Sequence, residues 1–484
     1  MSSENTIKVA TPPRARYQDI GLIVGIVAFI TIWLLPVPQG LSIGGWHVVA
    51  LILLMACWWS TEAIPVPATS LLPIVALPMM SIGSMSDATH PYAAPVIFLL
   101  LGGFIVAMGM LRWNLHRRIA LNIITRVGDS PIALIAGFMA ASALLSMWIS
   151  NTATTLMMIP IALSVAETVL GKRTHDHRFT LCLLLGVAWA SSIGGLGTII
   201  GTPPNAFVVG FMEEEAGVSI SFLQWMKLGV PVVLVMLPIA WLTLVKIVFP
   251  FDSSTVSGGK KVVQTELDKL GRITVPELRV ALVFTLMAVS WIIAPQLKIT
   301  GFNNSTIAIG GALLMFLVPA GNKTRDFLLD WESTTKLPWG VLLLFGGGLS
   351  LAGAIKSTGL AIWLGAAFSG IAAAPLILLM FAIVTMVIFL TELTSNTATT
   401  AALVPVLAAV AIATDIDPIL LAAPTAMAAS CAFMLPVATA PNAVIYSTGH
   451  VSIPQMAKGG VILNIFGTFV VSALCYWLVP IVFS

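Results

Sequence analysis

WISNTATTLMMIP (residues 148–160) and ELTSNTATTAALVP (392–405) carry the same six residues, Ser-Asn-Thr-Ala-Thr-Thr, at 150–155 and 395–400. Both copies stand inside apolar runs, where each hydroxyl and amide must find a partner or face water. Of the 484 residues 58% are hydrophobic and only 9% charged, too few charges to cover a soluble fold. The chain reads as an all-α polytopic membrane protein. The apolar run from about 20 to 35 has no small-residue cleavage site behind it, so this first span is expected to stay. Cys57, Cys182, Cys431 and Cys475 lie far apart in apolar runs and suit packing rather than a disulfide framework or a zinc site. The net charge of +3 is scattered through loops and forms no basic stripe, which implies no nucleic-acid partner.

A spanning helix needs about 20 mostly apolar residues. Candidates lie near 20–37, 45–63, 66–82, 95–111, 178–212, 228–249, 278–296, 304–320, 338–356, 418–449 and 460–483. The two runs that hold the repeated hexapeptide, near 131–168 and 372–412, fit re-entrant hairpins and leave eleven crossings. With the N-terminus in the cytoplasm, 20 of the 23 Lys and Arg then fall on the cytoplasmic side. Only Lys227, Lys298 and Lys356 fall outside, together with the acidic Glu213, Glu214 and Glu215. The positive-inside rule favours this arrangement, with the C-terminus outside. Counting each hexapeptide run as one ordinary span would put HRRIALNIITRVG (116–128) and GKRTHDHR (171–178) on opposite sides, a poorer fit. The expected division is a cytoplasmic segment 1–19, a first repeat within 20–250, a cytoplasmic linker 251–276 and a second, inverted repeat within 277–484. Short loops and the lack of an organelle signal point to the plasma (inner) membrane of a prokaryotic cell, in contact with its lipid.

The repetition extends beyond the hexapeptide. FLLLGGFIVAMGM (from Phe98) parallels LLLFGGGLSLAGA (from Leu342), and GTIIGTPPNAFVV (from Gly197) parallels LPVATAPNAVIY (from Leu435). Five crossings separate the two hexapeptides, and an odd number inverts the second copy relative to the first. Inverted repeats of this kind build secondary transporters, with the binding site where the repeats meet.

Pro203-Pro204 and Pro441 should break the helices that contain them, because proline lacks an N–H and obstructs the turn before it. Each break bares carbonyls on one side and N–H groups on the other. Carbonyl, hydroxyl and amide oxygens suit Na⁺, while helix N-termini with Ser, Thr and Asn donors suit a carboxylate. A single such motif is more often a cap or helix-helix glue; two copies, paired with two breaks, argue for a site. The glycines at 102–103 and 346–348 fit close helix packing, and the stretch from Arg112 to Arg126 an amphipathic surface helix. Glu392 beside the second hexapeptide fits either a functional or an ion-paired, interfacial role. No nucleophile or metal constellation of an enzyme is present, and His47, His90, His116, His175, His177 and His450 lie mostly in loops or at ends of spans.

Two SNT motifs, each followed by a TPPN-like break, resemble the divalent anion:sodium symporter family, the sodium-dependent di- and tricarboxylate carriers. The resemblance runs from about residue 40 to the end. It implies eleven transmembrane helices, two re-entrant hairpins with SNT at their tips, a homodimer with scaffold and transport domains, and elevator-type alternating access. Carried over by motif, one Na⁺ site would use Ser146, Ser150, Asn151 and the carbonyl of Gly201. The other would use Thr391, Asn396 and the carbonyls of Thr394 and Ala438. Ser146 and Thr391 each stand one helical turn before their SNT serine, on the same face. Substrate carboxylates would meet Ser150, Asn151 and Thr152 at one end and Ser395, Asn396 and Thr397 at the other, with Thr202, Pro203, Thr439 and Ala440 lining the rest. The second break reads TAPN where many relatives read TPPN, so Ala440 bears on the choice of anion. The implied function is Na⁺-coupled import of C4-dicarboxylates such as succinate, malate or fumarate. The alternatives are a Na⁺-independent dicarboxylate exchanger and a citrate or sulfate carrier.

Overall fold

Apart from one isolated bridge between Pro319 and Phe327, the regular structure among the described residues is helical. The computed structural model describes residues 15–170, 177–251, 258–321, 325–368 and 375–483. Expectations for residues 1–14, Lys172, Arg173, His175, residues 252–257, Lys323 and residues 372–374 lie outside these.

Ten described helices are long and apolar enough to cross a membrane. Two of them, Asn151–Leu170 and Asn396–Ala413, are second arms of the hairpins expected from the sequence; their first arms are Pro131–Ser146 and Leu376–Thr391. The other eight belong to expected crossings. Three further crossings are assembled from shorter pieces, Val66–Met79, Asn304–Leu317, and Ile419–Ala429 followed by Ala440–Ser447, which brings the count to eleven. Both breaks fall where the prolines put them: Arg178–Gly195 stops and Pro203–Ala216 restarts with Pro203 and Pro204 in its first turn, and Ala440–Ser447 restarts with Pro441 there.

One crossing departs from the sequence reading. The expected continuous span 66–82 is two helices, Val66–Thr69 and Leu72–Met79. Pro73 cannot donate to the turn before it, and beside the interruption Ser70 Oγ donates to the Val66 carbonyl at 2.8 Å and accepts from Trp59 Nε1 at 3.1 Å. Tyr92 donates to the Ser70 carbonyl. The helix Trp339–Ser357 passes so close to this interruption that a Cβ on Gly347 would lie 2.4 Å from the Ser70 carbonyl oxygen. Gly102 is packed in the same way, its absent Cβ 2.4 Å from the Ala308 backbone. These glycines are places of close helix approach.

Long-range polar contacts respect the sidedness of the eleven-crossing count. The ion pairs Arg112–Asp330, Arg117–Glu266 and Arg118–Glu277 each join residues assigned to one face, and Lys356–Glu215 joins two assigned to the other. Trp363 Nε1 donates to the Gln39 carbonyl and Ser305 Oγ to the Pro95 carbonyl, again within one face. The amphipathic stretch after Arg112 forms the helix Leu115–Val127, with Leu115, His116, Ala120, Leu121 and Ile124 buried on one side. That side is taken up by protein, since the helix packs against Pro131–Ser146 and Gly259–Lys269.

The two halves interlock. Pro203–Ala216 of the first half packs against Asn396–Ala413 and Ile419–Ala429 of the second, and Ala440–Ser447 of the second packs against Asn151–Leu170 and Arg178–Gly195 of the first. Nearly every residue of Arg178–Gly195 is buried in protein. The hexapeptides and the breaks therefore lie along the seam between the halves.

Candidate functional site

In the first half, Ser130 caps the helix Pro131–Ser146 by accepting from Ala133 N at 3.2 Å. That helix ends on Ser146, which is fully buried. Four residues on, Ser150 caps the next helix by accepting from Ala153 N at 3.3 Å, and Asn151 opens it. Ser146 Oγ lies 2.5 Å from the side-chain amide of Asn151. The same end of that amide lies 3.2 Å from the carbonyl oxygens of both Ser191 and Gly201. Hairpin tip and broken helix thus meet on one amide. With its nitrogen turned inward, Asn151 donates to these oxygens; with its oxygen inward, four oxygens face one another, an arrangement that a cation stabilises.

The second half repeats the arrangement with other residues. Thr391 is buried and its Oγ1 contacts Asn396 Oδ1 at 2.7 Å and the Ala429 carbonyl at 3.0 Å. Thr394 Oγ1 donates to the Leu390 carbonyl at 3.0 Å and lies 2.6 Å from Thr399 Oγ1. Ser395 stands at the N-cap without a side-chain cap hydrogen bond. Its hydroxyl is left for another partner, unlike that of Ser150. Ala438 is buried next to Thr439, which caps Ala440–Ser447 by accepting from Asn442 N at 3.2 Å. Thr202, the equivalent of Thr439, makes no cap; its hydroxyl lies 3.4 Å from Ser430 Oγ, across the seam between the halves. Ser150 and Ala440 are exposed, while Thr152, Pro203, Ser395 and Thr397 are half-buried.

Helices begin at Asn151, Pro203, Asn396 and Ala440, so four N-termini with their partial positive charge belong to this seam, although prolines remove N–H groups from the starts at Pro203 and Ala440. None of the site residues carries a positive side chain. The site offers neutral oxygens to cations and N–H and O–H donors to an anion. Space is tight: a Cβ on Gly201 would lie 2.4 Å from the Gly195 carbonyl oxygen. Gly201→Ala is expected to displace the Gly201 carbonyl and reduce uptake at least about tenfold with the helical content unchanged, measured by uptake in liposomes beside circular dichroism.

Several residues outside the expected set complete the site. Asn205 and Asn442 each tie their break together, and Thr198 joins the first break to the hairpin by donating to the Met147 carbonyl. Glu392 makes no ion pair among the described residues. Its buried carboxylate accepts from the backbone N–H groups of Phe433 (2.7 Å), Met434 (2.9 Å) and Leu435 (3.0 Å) and from Asn464 Nδ2 (2.7 Å). It anchors the second hairpin to the second break. The aligned PPN and APN motifs could have singled out Asn205 and Asn442; nothing in the sequence points to Asn464.

The family described as the sodium:sulfate symporter transmembrane region matches residues 17–483. The chain belongs to that family. Curated relatives include the sodium-dependent dicarboxylate transporter SdcS of Staphylococcus saprophyticus, 42% identical over 475 residues, covering 96% of this chain and 92% of that protein. SdcS of Staphylococcus aureus is 42% identical over 487 residues, covering 97% and 93%. In fold, this symporter-family chain is similar to the YdaH transporter of Alcanivorax borkumensis, with a TM-score of 0.58 and 14% identity over 90% of this chain and 98% of that one. It is similar also to MtrF of Neisseria gonorrhoeae, with a TM-score of 0.59 and 16% identity over 93% and 97%.

Proposed function

We propose that the chain imports C4-dicarboxylates together with Na⁺. The observation that carries this reading is the doubled meeting of a hairpin-tip asparagine with an oxygen-rich helix break, Asn151 with Ser146 and Gly201, and Asn396 with Thr391 beside Ala429. Relatives 42% identical over nearly their whole length are named sodium-dependent dicarboxylate transporters, which supports the same choice of ion and anion. In this reading Ser146, Ser150, Asn151 and the Gly201 carbonyl hold one Na⁺, and Thr391, Asn396 and the carbonyls of Thr394 and Ala438 hold another. Ser150, Asn151 and Thr152 receive one carboxylate of the substrate, Ser395, Asn396 and Thr397 the other, and Thr202, Pro203, Thr439 and Ala440 line the space between.

Order of binding follows from charge. A dianion entering a water-poor site with no positive side chain loses hydration without compensation. Sodium binds first and supplies the field, and the helix N-termini add to it. The repeats then move as an elevator within a homodimer, a first repeat within 20–250 against an inverted second within 277–484. The Lys and Arg distribution supports an N-terminus in the cytoplasm and a C-terminus outside.

The test is uptake of labelled succinate into liposomes under an inward Na⁺ gradient and an equal K⁺ gradient, with and without internal succinate. Uptake that needs Na⁺ and no internal anion is the expected result. Uptake that ignores Na⁺ but needs internal succinate would make the protein an exchanger and remove the cation role from Ser146 and Thr391. Absence of succinate flux in every condition would shift the substrate to citrate or sulfate.

A further inference from the structure

We infer that Asn205 and Asn442 are positioning residues for the two cation sites, an inference that rests on the sodium-coupled reading above. Both side chains are fully buried. Asn205 Nδ2 donates into a cluster of three carbonyls, those of Gly195 (3.1 Å), Leu196 (3.2 Å) and Thr198 (2.8 Å). Asn442 Nδ2 does the same with Ala432 (3.2 Å) and Leu435 (3.1 Å). Counting back from each asparagine, Gly195 and Ala432 are equivalent, and so are Thr198 and Leu435. Two inverted halves therefore solve one problem with one device. Carbonyl oxygens bared by a helix break repel one another, and they converge only around a shared donor or a cation. The amide NH₂ is a donor of fixed geometry that stays in place whether or not an ion is bound.

The first clamp reaches the cation cluster through one residue. Asn205 holds the Gly195 carbonyl, and Gly195 is wedged against the cluster itself: a Cβ there would lie 2.8 Å from Asn151 Oδ1 and 3.0 Å from the Gly201 carbonyl oxygen. Releasing the Gly195 carbonyl lets the 195–201 segment relax and carries the Gly201 carbonyl out of register with Asn151. The oxygen atoms of both amides point the same way chemically, since neither Asn205 Oδ1 nor Asn442 Oδ1 has a hydrogen-bond partner among the described residues. A buried oxygen left unpaired in both halves means that the nitrogen's grip on the break is what these side chains are held there for.

The test uses the full chain in liposomes with Asn205→Leu and Asn442→Leu, which keep shape and charge and remove the donor, and Asn205→Ser and Asn442→Ser, which restore one shorter donor. Three quantities are read: the Na⁺ concentration for half-maximal succinate uptake, the succinate KM at saturating Na⁺, and the rise in unfolding temperature that Na⁺ produces without substrate. Each Leu variant is expected to raise the Na⁺ half-saturation about tenfold or more and to blunt the Na⁺-induced thermal shift. The succinate KM at saturating Na⁺ stays within about threefold, and the Ser variants fall in between. Na⁺ half-saturation within about twofold of the parent, or Na⁺ and succinate constants rising together, would overturn the inference. So would failure of both variants at one position to fold at high Na⁺, which would make that asparagine a general stability residue. Absence of Na⁺ dependence in the parent would instead remove the sodium-coupled reading, and this inference with it.

Discussion

Glu392→Ala is expected to leave a protein that unfolds at a far lower temperature than the parent and carries no succinate. The substitution strips the acceptor from three successive backbone N–H groups, at Phe433, Met434 and Leu435, and from the amide of Asn464. The Phe433 N–H and the Asn464 amide are buried, whereas Met434 and Leu435 are half-buried, and each buried donor without a partner costs about 1–3 kcal/mol. The two buried donors alone lose about 2–6 kcal/mol, a large part of the 5–15 kcal/mol that ordinarily separates folded from unfolded domains. Glu392→Gln is expected to fall between, because its amide nitrogen would meet N–H groups that need an acceptor. Leu393→Ala, one residue on and 68% exposed, serves as the control and should be close to the parent. Thermal unfolding in detergent and uptake in liposomes read both effects. Parent-like behaviour of Glu392→Ala would mean that the second break holds its shape without the carboxylate.

Asn151→Ala and Asn396→Ala are each expected to lower the kcat/KM for succinate by about 100-fold or more while the protein still folds. Each asparagine joins a hairpin tip to the opposite wall of its site: Asn151 meets Ser146 and the Gly201 carbonyl, and Asn396 meets Thr391, which also holds the Ala429 carbonyl. In the proposed site one residue carries both a cation contact and a place beside the anion, so its loss should weaken two partners that stabilise each other. A 100-fold drop corresponds to about 2.7 kcal/mol, the size expected when hydrogen bonds to charged partners are removed from a dry site. Half-buried positions and helix N-termini tolerate alanine, so the fold survives. The Na⁺ dependence should become shallower in both variants, as one of two cation sites drops out. Unchanged steepness together with unchanged uptake would move the site away from the SNT motifs.

The hairpins and the two breaks were legible in the chain because their signals are local. Ser130-Pro131 starts the first arm, Pro203-Pro204 and Pro441 stop and restart their helices, and the repeated hexapeptide marks each tip; all of these act within a turn or two of helix. The third crossing misled a reading by hydropathy, since 66–82 is mostly apolar, with only Thr69, Ser70 and Ser81 polar. Its interruption at Ser70 depends on Pro73 and on Trp59, Tyr92 and the close passage of Gly347, and only the first of these is local.

Sequence by itself thus determined the membrane class, the eleven crossings with two hairpins, the inverted repeat and the motif residues, because run length, proline and period are properties of a short stretch of chain. Tertiary structure decided which groups satisfy the exposed backbone at the breaks. Glu392 finds its partners 41, 42, 43 and 72 residues away, and Thr202 meets Ser430 at a separation of 228. A buried polar group must be paired by whatever the fold brings within 3 Å or so of it, and that proximity is set by how the two halves interlock, a property that no local pattern encodes.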